Sequence, residues 1–232
     1  LKYLVSAWRT QQDGYRDNSN FDQTGFSTKF VYQPDDRSTV TAVMSYDNLG
    51  QDVSGGLTAE EVRRSPRIAD STSFARVGGV RLDNFGRFDE FRLGLNVQRS
   101  LTKSEQVETQ LFYVPRTIHE GPALTQFIQQ SFSNRGVTVR LLSTRALGTV
   151  GSRFTAGADF HDTPIQTTTT GRARTTAAGT AFSAFDEQAT AVGVYVLEEL
   201  AFSDALTLTA GARSDNIRFR QQNKLRAAQT EP

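Results

Sequence analysis

A regular alternation of apolar and polar side chains is the feature that most limits how this chain can fold. One segment has an apolar residue at every second position, and these residues are Phe91, Leu93, Leu95 and Val97. The segment 206–213 has the same period. A period of two places successive side chains on opposite faces of a β-strand. Helical periodicity is nearly absent, so the pattern predicts an all-β fold in which each strand has one apolar face.

The alternating segments predict nine strands, which cover much of the 232 residues. Their predicted ranges are 2–10, 21–32, 38–47, 87–99, 105–114, 133–145, 151–162, 186–202 and 206–220. All six prolines lie outside the predicted strands. This agrees with the assignment, because proline has no N–H to donate to a strand ladder.

The connections between the predicted strands alternate between long and short along the whole chain. The longest connection is 48–86, whereas 203–205 is a tight turn. Outer-membrane barrels have this asymmetry, with short periplasmic turns at one end and long extracellular loops at the other. The sequence therefore predicts an antiparallel meander of about nine strands that forms part of a large transmembrane β-barrel. Aromatic residues near the strand ends are candidates for its interfacial girdles: Trp8, Tyr32, Tyr46, Phe154, Phe160 and Phe202.

The composition excludes several classes of function. Lys plus Arg number 26 and Asp plus Glu number 25, and this balance argues against a nucleic-acid partner held by bulk charge. With no cysteine and only two histidines, the chain has no thiolate chemistry and no Cys-rich or His-rich metal site. The longest apolar run, 191–197, is far shorter than the ~20 residues of a transmembrane helix. Common nucleotide-binding, hydrolase and metalloprotease motifs are absent, so neither an enzyme nor a bound cofactor is predicted.

Four segments, 13–19, 29–38, 55–67 and 194–215, resemble TonB-dependent outer-membrane receptors, the ligand-gated transporters of Gram-negative bacteria. The last of them carries the strongest likeness. It contains, in succession, a strand with a tyrosine, the acidic pair Glu198–Glu199, a turn and a Gly-x-Arg-x-Asp motif. Leu197 and Ser214 depart from the family pattern, in which glutamine and tyrosine are frequent at these two places. The order and spacing of the four segments carry the resemblance.

The resemblance implies a 22-stranded barrel that is occluded by an N-terminal plug domain. Residues 1–232 would then be one partial barrel domain, and we expect the plug domain, the segment that contacts TonB and the C-terminal strands to lie outside this sequence. The implied location is the outer membrane of a Gram-negative bacterium, as a multi-pass protein in contact with lipid and lipopolysaccharide. The implied function is TonB-driven uptake of a ferric siderophore or similar iron chelate.

Arginines in the long loops are the main candidates for ligand binding. The chelates that the resemblance implies are usually anionic, and arginine offers a planar donor fork that is always charged. The candidates are Arg63, Arg64 and Arg67 in the longest loop, Arg172 and Arg174 in a threonine-rich loop, and His119. The alternative for these residues is a set of solvated loop charges or contacts to lipopolysaccharide. No metal site is predicted: the oxygen-rich segment 13–22 lacks the glycine and distal glutamate of an EF-hand and fits turn chemistry better.

Two other classes of protein share the strand pattern. A passive porin or an autotransporter-type barrel would differ from the implied receptor by lacking a plug-forming domain in the full gene. A soluble β-rich binding module would also show alternating strands, and solubility of the complete protein without detergent would favour it.

Overall fold

The computed structural model describes residues 1–69, 74–77, 80–123, 126–171 and 181–227. In chain order the strands are β1 (Lys2–Gln12), β2 (Phe21–Asp35), β3 (Ser38–Asp52), β4 (Phe74–Val77), β5 (Val80–Asp83), β6 (Phe85–Ser100), β7 (Glu105–Ala123), β8 (Gln126–Leu147), β9 (Val150–Gly171), β10 (Ala181–Ser203) and β11 (Leu206–Asn223). The helices are α1 (Ala59–Arg64) and α2 (Lys224–Ala227).

Nine of these strands form one antiparallel sheet whose spatial order follows the chain order, from β1 to β3 and from β6 to β11. The strands β4 and β5 form a separate hairpin between β3 and β6. Each edge strand, β1 and β11, has a neighbour on one side, so the sheet is not closed. The prediction of an all-β, nine-stranded antiparallel meander is confirmed, and the sheet is consistent with part of a barrel.

All the tight connections lie at one end of the sheet. This turn end contains 36–37, 101–104, 148–149 and 204–205. The first loop (13–20) lies at the opposite end of the sheet, the loop end. The second loop (53–84) and the connections 124–125 and 172–180 begin and end there. In the first of the turns the Arg37 N–H donates to the Asp35 carboxylate at 2.9 Å, and this bond lowers the pKa of Asp35.

The predicted long connection after the fifth strand is wrong. Most of 115–132 belongs to β7 and β8, which extend to Ala123 and from Gln126. The apolar–polar alternation does not predict a strand there, because polar side chains occur on both faces of the strands beyond the apolar zone. The strand β9 is longer than predicted for the same reason, and β10 begins at Ala181, before its predicted start at 186.

Four prolines lie inside strands, contrary to the sequence-based prediction. The β6–β7 ladder has no pair opposite Pro115, and the β8–β9 ladder has none opposite Pro164. Register shifts occur beside Pro34 in the β2–β3 ladder and beside Pro122 in the β7–β8 ladder. Each proline therefore coincides with a local interruption of one ladder, as expected from the missing N–H.

The register gives the sheet an apolar face and a polar face. Residues that are directly opposite each other on neighbouring strands point to the same side. One representative of the apolar face from each strand is Val5, Phe30, Met44, Leu95, Leu111, Val139, Ala158, Val194 and Leu208. The corresponding residues of the polar face include Thr10, Ser27, Ser45, Asn96, Gln110, Thr138, Asp159, Tyr195 and Arg213.

The apolar face has no protein partner in the described part of the chain. Ala69, in a loop, is the one buried hydrophobic residue among the described residues. Leu93, Leu111 and Val194 remain 45%, 46% and 52% exposed although each has a strand on both sides. An apolar surface of this extent requires a covering, because soluble proteins rarely leave one exposed to water.

Aromatic residues mark the boundary of the apolar face toward the loop end. Phe26, Tyr46 and Phe91 form one row across β2, β3 and β6. The Tyr46 hydroxyl donates to Asp89 in the next, polar row at 2.8 Å, and Asn48 donates to the same carboxylate oxygen at 2.6 Å. A ring with its body on an apolar zone and its hydroxyl in a polar row is typical of a barrel girdle.

Trp8 does not belong to such a girdle. It lies on the polar face, where its ring covers Gly25 on the neighbouring strand. Tyr195 covers Gly157 in the same way, and a Cβ atom at that glycine would lie 2.5 Å from the ring. The lack of a side chain at these glycines leaves room for the aromatic rings to pack over the strand.

Substitution on the two faces should have unequal effects. Leu95 lies on the apolar face, and Leu95→Arg should cost the intact barrel about 2–4 kcal/mol if the residue sits near mid-bilayer. Gln98 lies on the polar face beside Glu108, so Gln98→Arg should cost much less. The measurement is the free energy of unfolding of the full-length protein in lipid. Equal losses for the two variants would contradict the assignment of the faces.

Candidate ligand-binding site at the loop end of the sheet

The first and second loops pack against each other at the loop end. The Arg16 guanidinium donates to three backbone carbonyls of the second loop, those of Ser54 at 3.2 Å, Gly55 at 2.6 Å and Ile68 at 3.1 Å. These carbonyls lie at both ends of the segment 54–68. One side chain therefore holds together the base of the segment that carries the predicted arginines.

Backbone contacts reinforce this docking. The Asp17 N–H donates to the Arg67 carbonyl at 2.7 Å. Asn18 has a φ of +54° and donates from its side chain to the carbonyls of Val53 at 2.9 Å and Asn84 at 3.0 Å. Asparagine tolerates this left-handed conformation better than most residues. The polar residues of the first loop thus serve turn and docking contacts, and no group of three or more acidic or histidine residues in the described ranges could hold a metal ion.

Helix α1 is a short, capped helix within the docked segment. The Thr58 side chain accepts from the Glu61 N–H at 3.3 Å, and the Glu61 carboxylate accepts from the Thr58 N–H at 2.8 Å. This reciprocal arrangement is a capping box. Arg63 and Arg64 occupy the last turn, where positive charge complements the helix dipole.

The three predicted arginines of the second loop have different surroundings. Arg64 forms an exposed ion pair with Glu60 at 2.9 Å. Arg67 donates to the Tyr15 carbonyl at 3.3 Å and stacks over the Tyr15 ring at 5.1 Å. Arg63 has no hydrogen bond or ion pair with any residue that the structure describes. The structure therefore places Arg63 and Arg64 on one exposed helix and uses Arg67 to join the two loops.

The other predicted site residues lie elsewhere. His119 is on the apolar-face side of β7, opposite Arg87 and Gln129, with its ring 6.1 Å from that of Phe127. It is therefore not grouped with the loop arginines. Arg172 and Arg174 lie outside the described residues, so their assignment stays a prediction.

The polar face carries a cavity that sequence reasoning missed. Its volume is about 670 Å³, and five successive strands line it: β1, β2, β3, β6 and β7. A depression shared by five strands indicates that the sheet curves around its polar face. The lining includes Trp8, Asp47, Leu49, Phe88, Glu90, Arg92 and Arg116. Each residue follows the period-two pattern, but only the register shows that they meet.

The charges in this cavity are paired. Glu90 is buried and contacts the guanidinium groups of both Arg92 and Arg116. Arg92 also binds Asp47 at 2.9 Å. Two arginines and two carboxylates thus form one chain of contacts with no net charge.

A second charged group lies nearer the turn end of the same face. Arg213 binds Asp159 at 2.9 Å and Asp215 at 2.6 Å, and it stacks on the Tyr195 ring at 5.6 Å. A Cβ atom at Gly193 would collide with the Arg213 guanidinium and both carboxylates. Glycine at this position therefore leaves the space in which the three charges meet.

Solved structures with the same fold include receptors for iron chelates. The chain superposes on the ferric citrate transporter FecA in its unliganded form with a TM-score of 0.85 and 14% sequence identity, covering 97% of this chain and 33% of that one. The ferripyoverdine receptor of Pseudomonas aeruginosa, bound to ferripyoverdine, gives a TM-score of 0.74 at 11% identity, with 96% and 34% covered. The ferric preacinetobactin receptor BauA from Acinetobacter baumannii gives 0.71 at 9% identity, with 94% and 37% covered. At these identities the likeness shows the fold alone.

The chain spans about a third of the length of these structures. No curated protein sequence matches it. Within the described residues, no helix is long and apolar enough to cross a membrane. The family model for the TonB dependent receptor-like beta-barrel matches residues 3–230. The chain therefore belongs to the TonB-dependent receptor family, whose members are transporters and not enzymes, as part of its β-barrel domain.

Proposed function

We propose that the protein is an outer-membrane receptor that takes up a ferric siderophore or a similar iron chelate with energy supplied through TonB. The observation that carries this proposal is the docked pair of loops at one end of the sheet, which holds α1 and its arginines exposed beyond the wall. Family membership and the likeness to receptors for ferric citrate and ferripyoverdine support it. They favour it over a passive porin, an autotransporter-type barrel or a soluble module.

The loop arginines have the chemistry to capture an anionic chelate. Arg63 has its donors free of partners among the described residues, and the Arg64–Glu60 pair is 79% and 73% exposed. An ion pair this exposed contributes little to stability, so Arg64 can exchange Glu60 for a ligand carboxylate at small cost. Guanidinium forks bind carboxylates in a bidentate manner, which fixes orientation as well as charge.

The apolar face supports the proposed location. A bilayer would cover the exposed side chains that lack a protein partner, and the aromatic row with Tyr46 would lie at its interface. In this arrangement the loop end faces the outside of the cell, where lipid and lipopolysaccharide surround the wall. The TonB-contacting region and the plug domain of the complete protein remain part of the proposal.

Loss of the loop arginines should weaken ligand binding without affecting barrel assembly. We expect the triple variant Arg63→Ala, Arg64→Ala, Arg67→Ala of the full-length receptor to bind its iron chelate at least tenfold more weakly at low salt. Charge-assisted hydrogen bonds are worth roughly 1.5–3 kcal/mol each when water is partly excluded. The difference should shrink at high salt, because salt screens exposed charges.

The control removes three cations from the turn end instead: Arg37→Ala, Arg99→Ala and Lys103→Ala. These changes lower the net charge equally but lie at the opposite end of the sheet. The probes are ferric citrate, ferrioxamine and the ferric complex of 2,3-dihydroxybenzoate, and TonB-dependent growth on each bound chelate tests uptake. Unchanged affinity in the loop variant would remove these arginines from the site, and binding of none of the chelates would contradict the proposed function.

Arg16 should control the order of the second loop even without ligand. Arg16→Ala removes three charge-assisted hydrogen bonds to backbone carbonyls, so we expect amide hydrogen exchange in 53–69 to rise at least tenfold. Arg9→Ala is the control, because Arg9 pairs with Asp22 near the same end of the sheet but does not contact the second loop. Equal exchange in the wild type and in Arg16→Ala would show that other contacts suffice to dock the loops.

A further inference from the structure

A polar pocket lies on β9, β10 and β11 near the loop end of the sheet, and its volume is about 520 Å³. Most of its lining residues lie on the apolar-face side of these strands: Pro164, Gln166, Asp186, Gln188, Arg220 and Gln222. They form two rows across the three strands. The pocket therefore belongs to the side of the wall that the proposed function turns toward the membrane.

The pocket begins directly beyond the apolar zone. On β10 the side chains of Val196, Val194 and Val192 are exposed, and Gln188 follows on the same side. Val192 and Gln188 are four residues apart, which is about 13 Å along a strand. Phe160 of β9 is directly opposite Val192 and is also exposed. A bilayer that covers these apolar side chains would place its polar headgroups at the pocket.

Arginine donors are free at this pocket, whereas its carboxylate is not. Asp186 is paired with Lys224 at 2.6 Å. Arg218 and Arg220 are exposed, lie two positions apart on one side of β11, and have no hydrogen bond or ion pair with any residue that the structure describes. Guanidinium forks bind phosphate oxygens in a bidentate manner. The arginine pair therefore favours a ligand that carries phosphate.

Glutamine side chains supply most of the other polar groups of the pocket: Gln166, Gln188 and Gln222. A carboxamide offers both donors and an acceptor, so it can match the hydroxyl groups of a sugar. Gln188 donates to Asp162 at 2.8 Å, and Arg135 binds the same carboxylate at 2.7 Å. These contacts hold Gln188 in place and leave its amide oxygen without a partner among the described residues.

We propose that this pocket binds the phosphorylated sugar headgroup of a lipopolysaccharide, with Arg218 and Arg220 at a phosphate and the glutamines at sugar hydroxyls. A lipid without sugar, or a sugar without phosphate, would satisfy only one of these two sets of groups. This inference rests on the proposed function, because it requires the apolar face to lie in the outer membrane. It gives the contact with lipopolysaccharide a defined place on the wall, apart from the loop arginines.

The test measures, by native mass spectrometry, how tightly the full-length receptor binds purified lipids after its own lipid has been removed in detergent. The three probes are a rough-type lipopolysaccharide, the same lipopolysaccharide after removal of its phosphates, and phosphatidylglycerol. We expect the intact lipopolysaccharide to bind at least tenfold more tightly than either of the others. Arg218→Ala with Arg220→Ala should reduce its affinity at least tenfold, and Gln166→Ala with Gln222→Ala should reduce its advantage over phosphatidylglycerol.

The matched control is Arg37→Ala with Arg99→Ala, which removes the same charge from the turn end. It should bind lipopolysaccharide as the wild type does, and a shift in electrophoretic mobility on heating verifies that each variant forms a barrel. Equal binding of the three lipids, or an unchanged affinity in the folded Arg218→Ala, Arg220→Ala variant, would overturn the inference and leave the proposed function intact. Recovery of the wild type from a cell fraction other than the outer membrane would contradict the proposed function itself.

Discussion

The hydrogen-bonded ladder between neighbouring strands is the interaction on which the rest of this structure depends. Ordinary domains add a hydrophobic core to their backbone pairing, but the sheet described here has none. Its nine strands are joined by eight antiparallel ladders. In a bilayer such ladders contribute more to the stability of the sheet, because no water is present to satisfy an unpaired N–H or C=O group. The four prolines within strands fit this constraint, since each lies where one ladder is interrupted or shifted.

The strand register also gives the side chains on the two faces of the sheet different surroundings. Apolar side chains on one face have no partner in the described chain, whereas the other face carries ion pairs, amide contacts and rings packed over glycines. Glu108 illustrates the second environment, with Asn96 at 2.6 Å and Arg140 at 2.7 Å bound to the same carboxylate. A closed network of this kind can line a hydrated interior, because its members need no further partners. The apolar face is suited to lipid for the opposite reason.

The loop end of the sheet combines an ordered backbone with exposed positive charge. Helix α1 alone has only six residues and would not persist in water. Its capping box and the docking of both loops through Arg16 hold it at the rim of the wall. The backbone that carries Arg63 and Arg64 is consequently held in one conformation, so the proposed capture of a ligand would not have to order it.

The sequence by itself determined the fold class, the number and order of the nine strands, the direction of Leu95 and Arg92, and the presence of arginines in the longest loop. These follow from local signals, because alternation and turn residues act within a few positions of the chain. Only the tertiary structure decided that 115–132 is mostly strand, that Trp8 packs over Gly25, and that the Arg67 guanidinium contacts Tyr15. It also decided which polar residues share a cavity. Register brings together residues far apart in the chain, and no local pattern contains that information.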